Sequence, residues 1–170
     1  MRIVLIVICC IGSLSVAHAE DEKLIPIHAF RRKTAPEMVY TIDTEEIARL
    51  KRTDGWEDRG ILGLGSAKAG ENLIKLQRAH RGRWHVFYTK APAKLPTGTE
   101  VEEFDVWVWE TEREDLVPVY GTSLPDWRDM VFSTDKAKIK EAVEESWNAA
   151  KIKRLDHGVM FYVKPAKPKE

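Results

Sequence analysis

Two stretches of this chain say nearly the same thing: Met38-Val39-Tyr40-Thr41-Ile42-Asp43 and Met130-Val131-Phe132-Ser133-Thr134-Asp135, 92 positions apart. The same shift, with no gap, sets Leu24-Ile25-Pro26-Ile27 on Leu116-Val117-Pro118-Val119 and Ile47 on Ile139. A related stretch lies between them, Asn72-Leu73-Ile74-Lys75-Leu76 followed by Trp84-His85-Val86-Phe87-Tyr88-Thr89. With Tyr40, Tyr88 and Phe132 taken as equivalent, the aromatic follows its leading apolar residue by 13 positions from Ile27, 12 from Leu76 and 13 from Val119. A fixed internal period marks a chain built from one supersecondary unit used several times, each with an apolar face that it cannot bury alone.

Each unit reads to one plan. A short leading strand is followed by a polar turn, such as Arg31-Arg32-Lys33-Thr34-Ala35-Pro36, and then by the aromatic strand. Asp43 and Asp135 stand as N-caps ahead of helical spacing over 44–52 and 136–145, with Ile47 and Leu50, and Ile139 and Val143, on the apolar stripe. In the middle unit the prolines of Ala91-Pro92-Ala93-Lys94-Leu95-Pro96-Thr97-Gly98 forbid that helix. A closing strand follows in each: Gly60–Leu64, Phe104–Trp109 and Gly158–Val163. The alternation of glycine and apolar residues in Gly60-Ile61-Leu62-Gly63-Leu64-Gly65 predicts close backbone packing, not a phosphate loop.

Short strands at even spacing predict a mostly β fold with short helices: a pseudo-threefold, β-trefoil-like barrel of three repeats of about 45 residues. These would span 24–68, 72–111 and 115–164 of a single domain covering 20–164. An α+β repeat domain is the alternative.

The ends bound the compartment. Arg2, the apolar run Ile3–Ile11 and Ala17-His18-Ala19 have the pattern of a secretory signal peptide, predicting cleavage near Ala19 and export. Cys9 and Cys10, the chain's 2 cysteines, leave with that leader, so the mature fold is expected to rely on its core and not on disulfides. With 27 basic and 27 acidic residues the chain offers no footprint for nucleic acid. No second apolar run has membrane-spanning length. Lys164-Pro165-Ala166-Lys167-Pro168-Lys169-Glu170 reads as a disordered tail.

The first unit, Pro26-Ile27 through Glu37-Met38-Val39-Tyr40-Thr41-Ile42-Asp43 to Gly55-Trp56-Glu57-Asp58-Arg59-Gly60-Ile61-Leu62-Gly63, resembles a secreted tandem-repeat family of unknown function. That family's repeat runs P-L-Y-R-F, then D-H-F-Y-T-T-D, then G-W-x-x-x-G-I-x-G. The histidine before its aromatic pair is Met38, Val86 and Met130 here, and its early tyrosine survives only as Tyr120. The resemblance implies an exported module that binds sugar or cell-wall polymer.

Catalytic patterns are sparse. His80 and His85, five apart, would lie on opposite faces of one strand, and no zinc spacing occurs, so neither a metal nor a cofactor is expected. Glu102, Glu103 and Asp105 form the nearest acidic cluster, without the facing partner that glycoside hydrolysis needs. The 6 tryptophans carry more information. Trp56, Trp107 and Trp147 are expected to fill the core. Trp84 and Trp127 lie in charged turns before the aromatic strand and suit stacking on a sugar face. With Tyr120 they form the predicted platforms, with Arg81, Arg83, Asp126 and Asp129 as polar partners. The expected function is a non-catalytic module that binds a polysaccharide or another cell-surface glycoconjugate. The alternative is a protein-binding module, such as an inhibitor of a secreted hydrolase, acting through the loop Ala91–Gly98.

Overall fold

A computed structural model describes residues 23–35, 37–82, 84–89, 97–125, 129–144 and 152–166. The predicted leader, Arg83, Asp126, Trp127, Trp147, most of the 91–98 loop and the last residues of the tail lie outside them.

The fold is mostly antiparallel β. The elements run β1 (Leu24–Arg32), β2 (Met38–Thr41), α1 (Thr44–Arg52), β3 (Trp56–Ser66), β4 (Leu73–Lys75), β5 (Gln77–Arg81), β6 (Trp84–Tyr88), β7 (Glu100–Glu102), β8 (Trp107–Trp109), β9 (Val117–Ser123), β10 (Val131–Ser133), α2 (Lys136–Glu144) and β11 (Leu155–Val163). Both helices start where their caps dictate. Asp43 Oδ1 accepts from the Glu45 and Glu46 N–H groups at 2.7 and 3.2 Å, and Asp135 Oδ1 from Ala137 at 2.9 Å.

The first strand is central in the orders β2-β1-β3 and β10-β9-β11; between them β5 is central in β6-β5-β7, and β4, which precedes it, pairs with β8 instead. Agreement between the first two goes down to the irregularities. The β1–β3 register slips between Ile27 and His28 and between Ala29 and Phe30. The β9–β11 register slips beside Val119/Phe161 and Gly121/Gly158, opposite the corresponding residues. In each long strand the second slip is an aspartate-x-glycine turn. Gly60 (φ +86) donates its N–H to Asp58 Oδ1 at 2.8 Å, and Gly158 (φ +68) donates to Asp156 Oδ1 at 2.9 Å. Positive φ suits glycine there.

The strands do not form the expected closed barrel. The larger sheet follows an open path, β10-β9-β11-β8-β3-β1-β2, with β4 on β8, and β6-β5-β7 stand apart. Within that path β8 links β11 and β3 through one register pair each, Tyr162↔Trp109 and Ser66↔Trp107, while among the described residues no register pair joins the end strands β10 and β2 to each other or to β6-β5-β7. The ends of the path are joined by side chains instead. The Tyr40 hydroxyl accepts from Phe132 N–H at 2.6 Å and donates to Phe132 C=O at 3.2 Å.

Three rings fill the centre. Tyr40 and Phe87 meet edge-on at 5.1 Å, Tyr40 and Phe132 at 5.2 Å, and Phe87 and Phe132 at 6.1 Å. The aromatic equivalent to Tyr40 and Phe132 is therefore Phe87, not Tyr88. A one-residue slip along a strand turns the side chain to the other face, and Tyr88 packs with Ala79 and Val86 in a separate cluster. Ile27, Leu76 and Val119, the leading apolar residues, all lie in the main core.

Of the tryptophans expected inside, Trp56 is half-buried against the Phe30–Val39–Leu50 cluster under α1, with Arg32 5.1 Å above its ring. Trp107 is also half-exposed, and it is Trp109 that is buried. The glycine-rich strand packs as its sequence indicated. A Cβ at Gly63 would stand 2.2 Å from Val163, and one at Gly65 would stand 2.4 Å from Val106.

Candidate ligand-binding site

The β1–β2 connection reaches two other parts of the chain. Met38 N–H, at the start of β2, donates to Asp129 Oδ1 at 3.2 Å in the β9–β10 connection. Glu37 Oε1 lies 3.8 Å from His85 Nδ1 on β6, while Glu37 Oε2 pairs with Arg32 at 3.2 Å. The β1–β2 connection thus lies against β6 on one side and the β9–β10 connection on the other, the latter 92 residues further along the chain.

Arg81 is exposed at the end of β5, in register with Trp84 across the Gly82 turn. Tyr120 is half-exposed on β9 with Lys136 Nζ 5.8 Å from its ring centre. Asp129 differs from its predicted role. It is 1 % exposed, in a left-handed conformation (φ 52), and paired with the buried Arg154 guanidinium, which also donates to the Asp129 carbonyl at 2.7 Å. Burial pushes its carboxyl up, and Arg154 and Met38 N–H offset this only in part. Its polar atoms fasten the third hairpin to the first and do not face solvent.

His80 and His85 are register partners on β5 and β6, so they share a face. The expectation of opposite faces fails because Gly82 (φ +58) turns the chain between them. His80 Nδ1 lies 2.9 Å from Glu102, and among the described residues no group of three His, Cys, Asp or Glu is arranged to hold a metal. Sequence reasoning passed over the group beside them. Arg78 on β5 reaches Glu46 of α1 at 2.6 and 3.2 Å and pairs with Glu102 of β7. Burial works against each charge, but their mutual hydrogen bonds and attraction prevail, holding the Glu46 carboxyl below and the Arg78 guanidinium above their usual ranges.

Burial, reinforced by Arg78, lowers the His85 pKa against the pull of Glu102 and Glu46; burial also lowers that of His157, whose Nε2 lies 2.9 Å from Ser123 Oγ. A depressed histidine contributes stability above its unfolded pKa, about 6.5, and loses it as pH falls, because the unfolded chain takes the proton first. We expect urea-unfolding stability to drop between pH 7.5 and 5.5, by at most about 1.4 kcal/mol per pH unit for the more buried His85 and by less for His157, where solvent screens the effect. The drop should shrink in His85→Gln and His157→Gln, measured by the same titration.

A cleft of about 460 Å³ opens between the β1–β3 ribbon and β10–α2. Ala29, Met38, Leu62, Val131 and Phe132 give it apolar walls; Arg31, Arg59, Lys138 and Arg154 bring four cations, and Asp58 and Glu141 two carboxylates. Burial opposes the Asp58 charge, but the Gly60 N–H and Lys51 at 3.3 Å hold its carboxyl below the usual range. The volume is that of a small-molecule site.

Residues 12–95 match the family model described as Domain of unknown function (DUF5648). The match takes in β1 to α1, β3 and the β5–β6 hairpin, just under half of the chain. No characterised protein and no solved structure matches. No helix among the described residues is long and apolar enough to cross a membrane.

Proposed function

We propose that this chain is an exported, non-catalytic binding module for a polysaccharide or glycoconjugate, built from three related units about a pseudo-threefold axis. The observation that carries this reading is the approach of the β1–β2 connection to both β6 and the β9–β10 connection. Residues Arg81, Arg83, Trp84, Asp126 and Trp127, far apart in sequence, belong to the β5–β6 and β9–β10 hairpins. In the sequence Trp84 and Trp127 stand among Arg81, Arg83 and Asp126, and an aromatic ring beside hydrogen-bonding groups is the pairing that a sugar ring needs. The shared strand order, the matching register slips and the convergence of Tyr40, Phe87 and Phe132 support the three-unit reading. The leader at residues 1–19 supports export.

The test is a glycan array and polysaccharide pull-down with the chain from Glu20 onward. Binding to at least one glycan class is expected, with a loss of tenfold or more in Trp84→Ala and Trp127→Ala at unchanged circular dichroism. Absence of glycan binding, or binding indifferent to both substitutions, overturns the reading.

A further inference from the structure

The molecule holds two versions of one inter-unit junction, and only one of them is filled. Arg78 on β5 is in register with Phe87, as Ala29 on β1 is in register with Tyr40. Both rings belong to the central aromatic cluster, so Arg78 and Ala29 occupy equivalent positions. Glu46 and Lys138 are likewise equivalent, each the third residue after a helix-capping aspartate. At the junction of the first unit with the second, the Arg78 side chain fills the space and is clasped by Glu46 and Glu102. At the junction of the third unit with the first, the filling residue is Ala29, Lys138 stands in place of Glu46, and Gly60 is the register partner where Arg78 has Glu102. The roughly guanidinium-sized group is missing there, and the cleft is what remains.

The charge of the surroundings is also inverted. Arg31, Arg59 and Lys138 line the unfilled cleft and outnumber its two carboxylates, Asp58 and Glu141; the fourth cation, the buried Arg154, is paired with Asp129. Asp58 is already engaged by Lys51 and Gly60, whereas Arg59 has Glu57 at 3.0 Å. We propose that this cleft binds a carboxylate or sulfate group carried on a sugar-sized ring, the ring lying on Ala29, Leu62 and Val131 and the oxyanion facing Arg31, Arg59 and Lys138. Guanidinium groups favour planar, two-point contact with such anions, and a half-enclosed site strengthens the attraction. This inference rests on the saccharide reading and names the acidic class within it.

The experiment is isothermal titration of the chain from Glu20 onward with oligogalacturonate, a sulfated heparin disaccharide and neutral cello-oligosaccharide at two salt concentrations. An acidic ligand is expected to bind at least tenfold more tightly than the neutral one and to weaken with salt. The triple variant Arg31→Gln, Arg59→Gln, Lys138→Gln should lose that preference at unchanged melting temperature, all three side chains being exposed. A second variant, Ala29→Arg with Lys138→Glu, rebuilds the filled junction and should abolish acidic binding. Equal binding of acidic and neutral sugars, or acidic binding indifferent to the triple variant, overturns the cleft assignment and leaves the saccharide reading standing. Absence of binding by every sugar overturns both.

Discussion

Arg154→Met is expected to destabilise the fold by about 3–5 kcal/mol at neutral pH, the cost of leaving a buried charge without its partner. The side chains of Arg154 and Asp129 are 4 % and 0 % exposed, so water cannot take over from the lost guanidinium. The expected pH dependence makes the test specific. Burial already raises the Asp129 carboxyl with Arg154 present, and its removal raises it further. A carboxyl whose folded pKa lies above its unfolded value contributes stability below that unfolded value, near 3.9, and loses it as pH rises through the folded pKa. The deficit of Arg154→Met relative to the parent should therefore be largest at pH 7 and shrink towards pH 4, read from paired urea titrations. Asp129→Asn should cost less than Asp129→Ala. Asparagine tolerates the left-handed backbone that Asp129 adopts, and alanine does not. A pH-independent deficit would mean that Asp129 stays charged without Arg154 and is not governed by burial.

The second large effect is expected at Tyr40. Its hydroxyl takes the N–H and serves the C=O of Phe132, and the residue is 0 % exposed. Tyr40→Phe keeps the ring and strands both backbone groups, an expected loss of about 1–3 kcal/mol. Tyr40→Ala also empties the space between Phe87 and Phe132, raising the loss to about 3–5 kcal/mol. Denaturant midpoints measure both. An unchanged slope for Tyr40→Phe would place the loss in the native contact, not in the unfolded chain. A loss below about 0.5 kcal/mol would show that the hydroxyl does not join the two ends of the sheet.

Much of this architecture was legible because it is local. The caps at Asp43 and Asp135 and the spacing of Ile47, Leu50 and Ile139 placed both helices to within a residue. The leading residues Ile27, Leu76 and Val119 all lie in the core, although the interval from Leu76 to Phe87 is 11 residues against 13 in the other two stretches. The shared Asp-x-Gly turn at Asp58 and Asp156 was also in the sequence, but it is displaced to 98 residues by the longer segment after α2, so a search at one shift missed it. The choice of Tyr88 over Phe87 failed for a related reason. The Trp-His-Val-Phe-Tyr run is apolar on both faces, and composition alone does not say which face the core takes.

The site was less legible. Asp129 looked like a surface partner because it follows Asp126, Trp127 and Arg128; its partner Arg154 is 25 residues away, and only folding brings the two together. The same holds for Arg78 with Glu46 and for the cations around Ala29.

Strands, helix caps, apolar strand residues and turn glycines are written in the chain's local order, because each depends on residues a few positions apart. How these elements meet was set by folding: the larger sheet stays an open path ending in β10 and β2, Glu37 and Met38 reach across to His85 and Asp129, and Arg78 is clasped by Glu46 and Glu102 while Ala29 lines an open cleft. Those outcomes depend on side-chain size and charge at positions tens of residues apart, where no periodicity constrains the partner and the balance of burial against pairing is settled by packing.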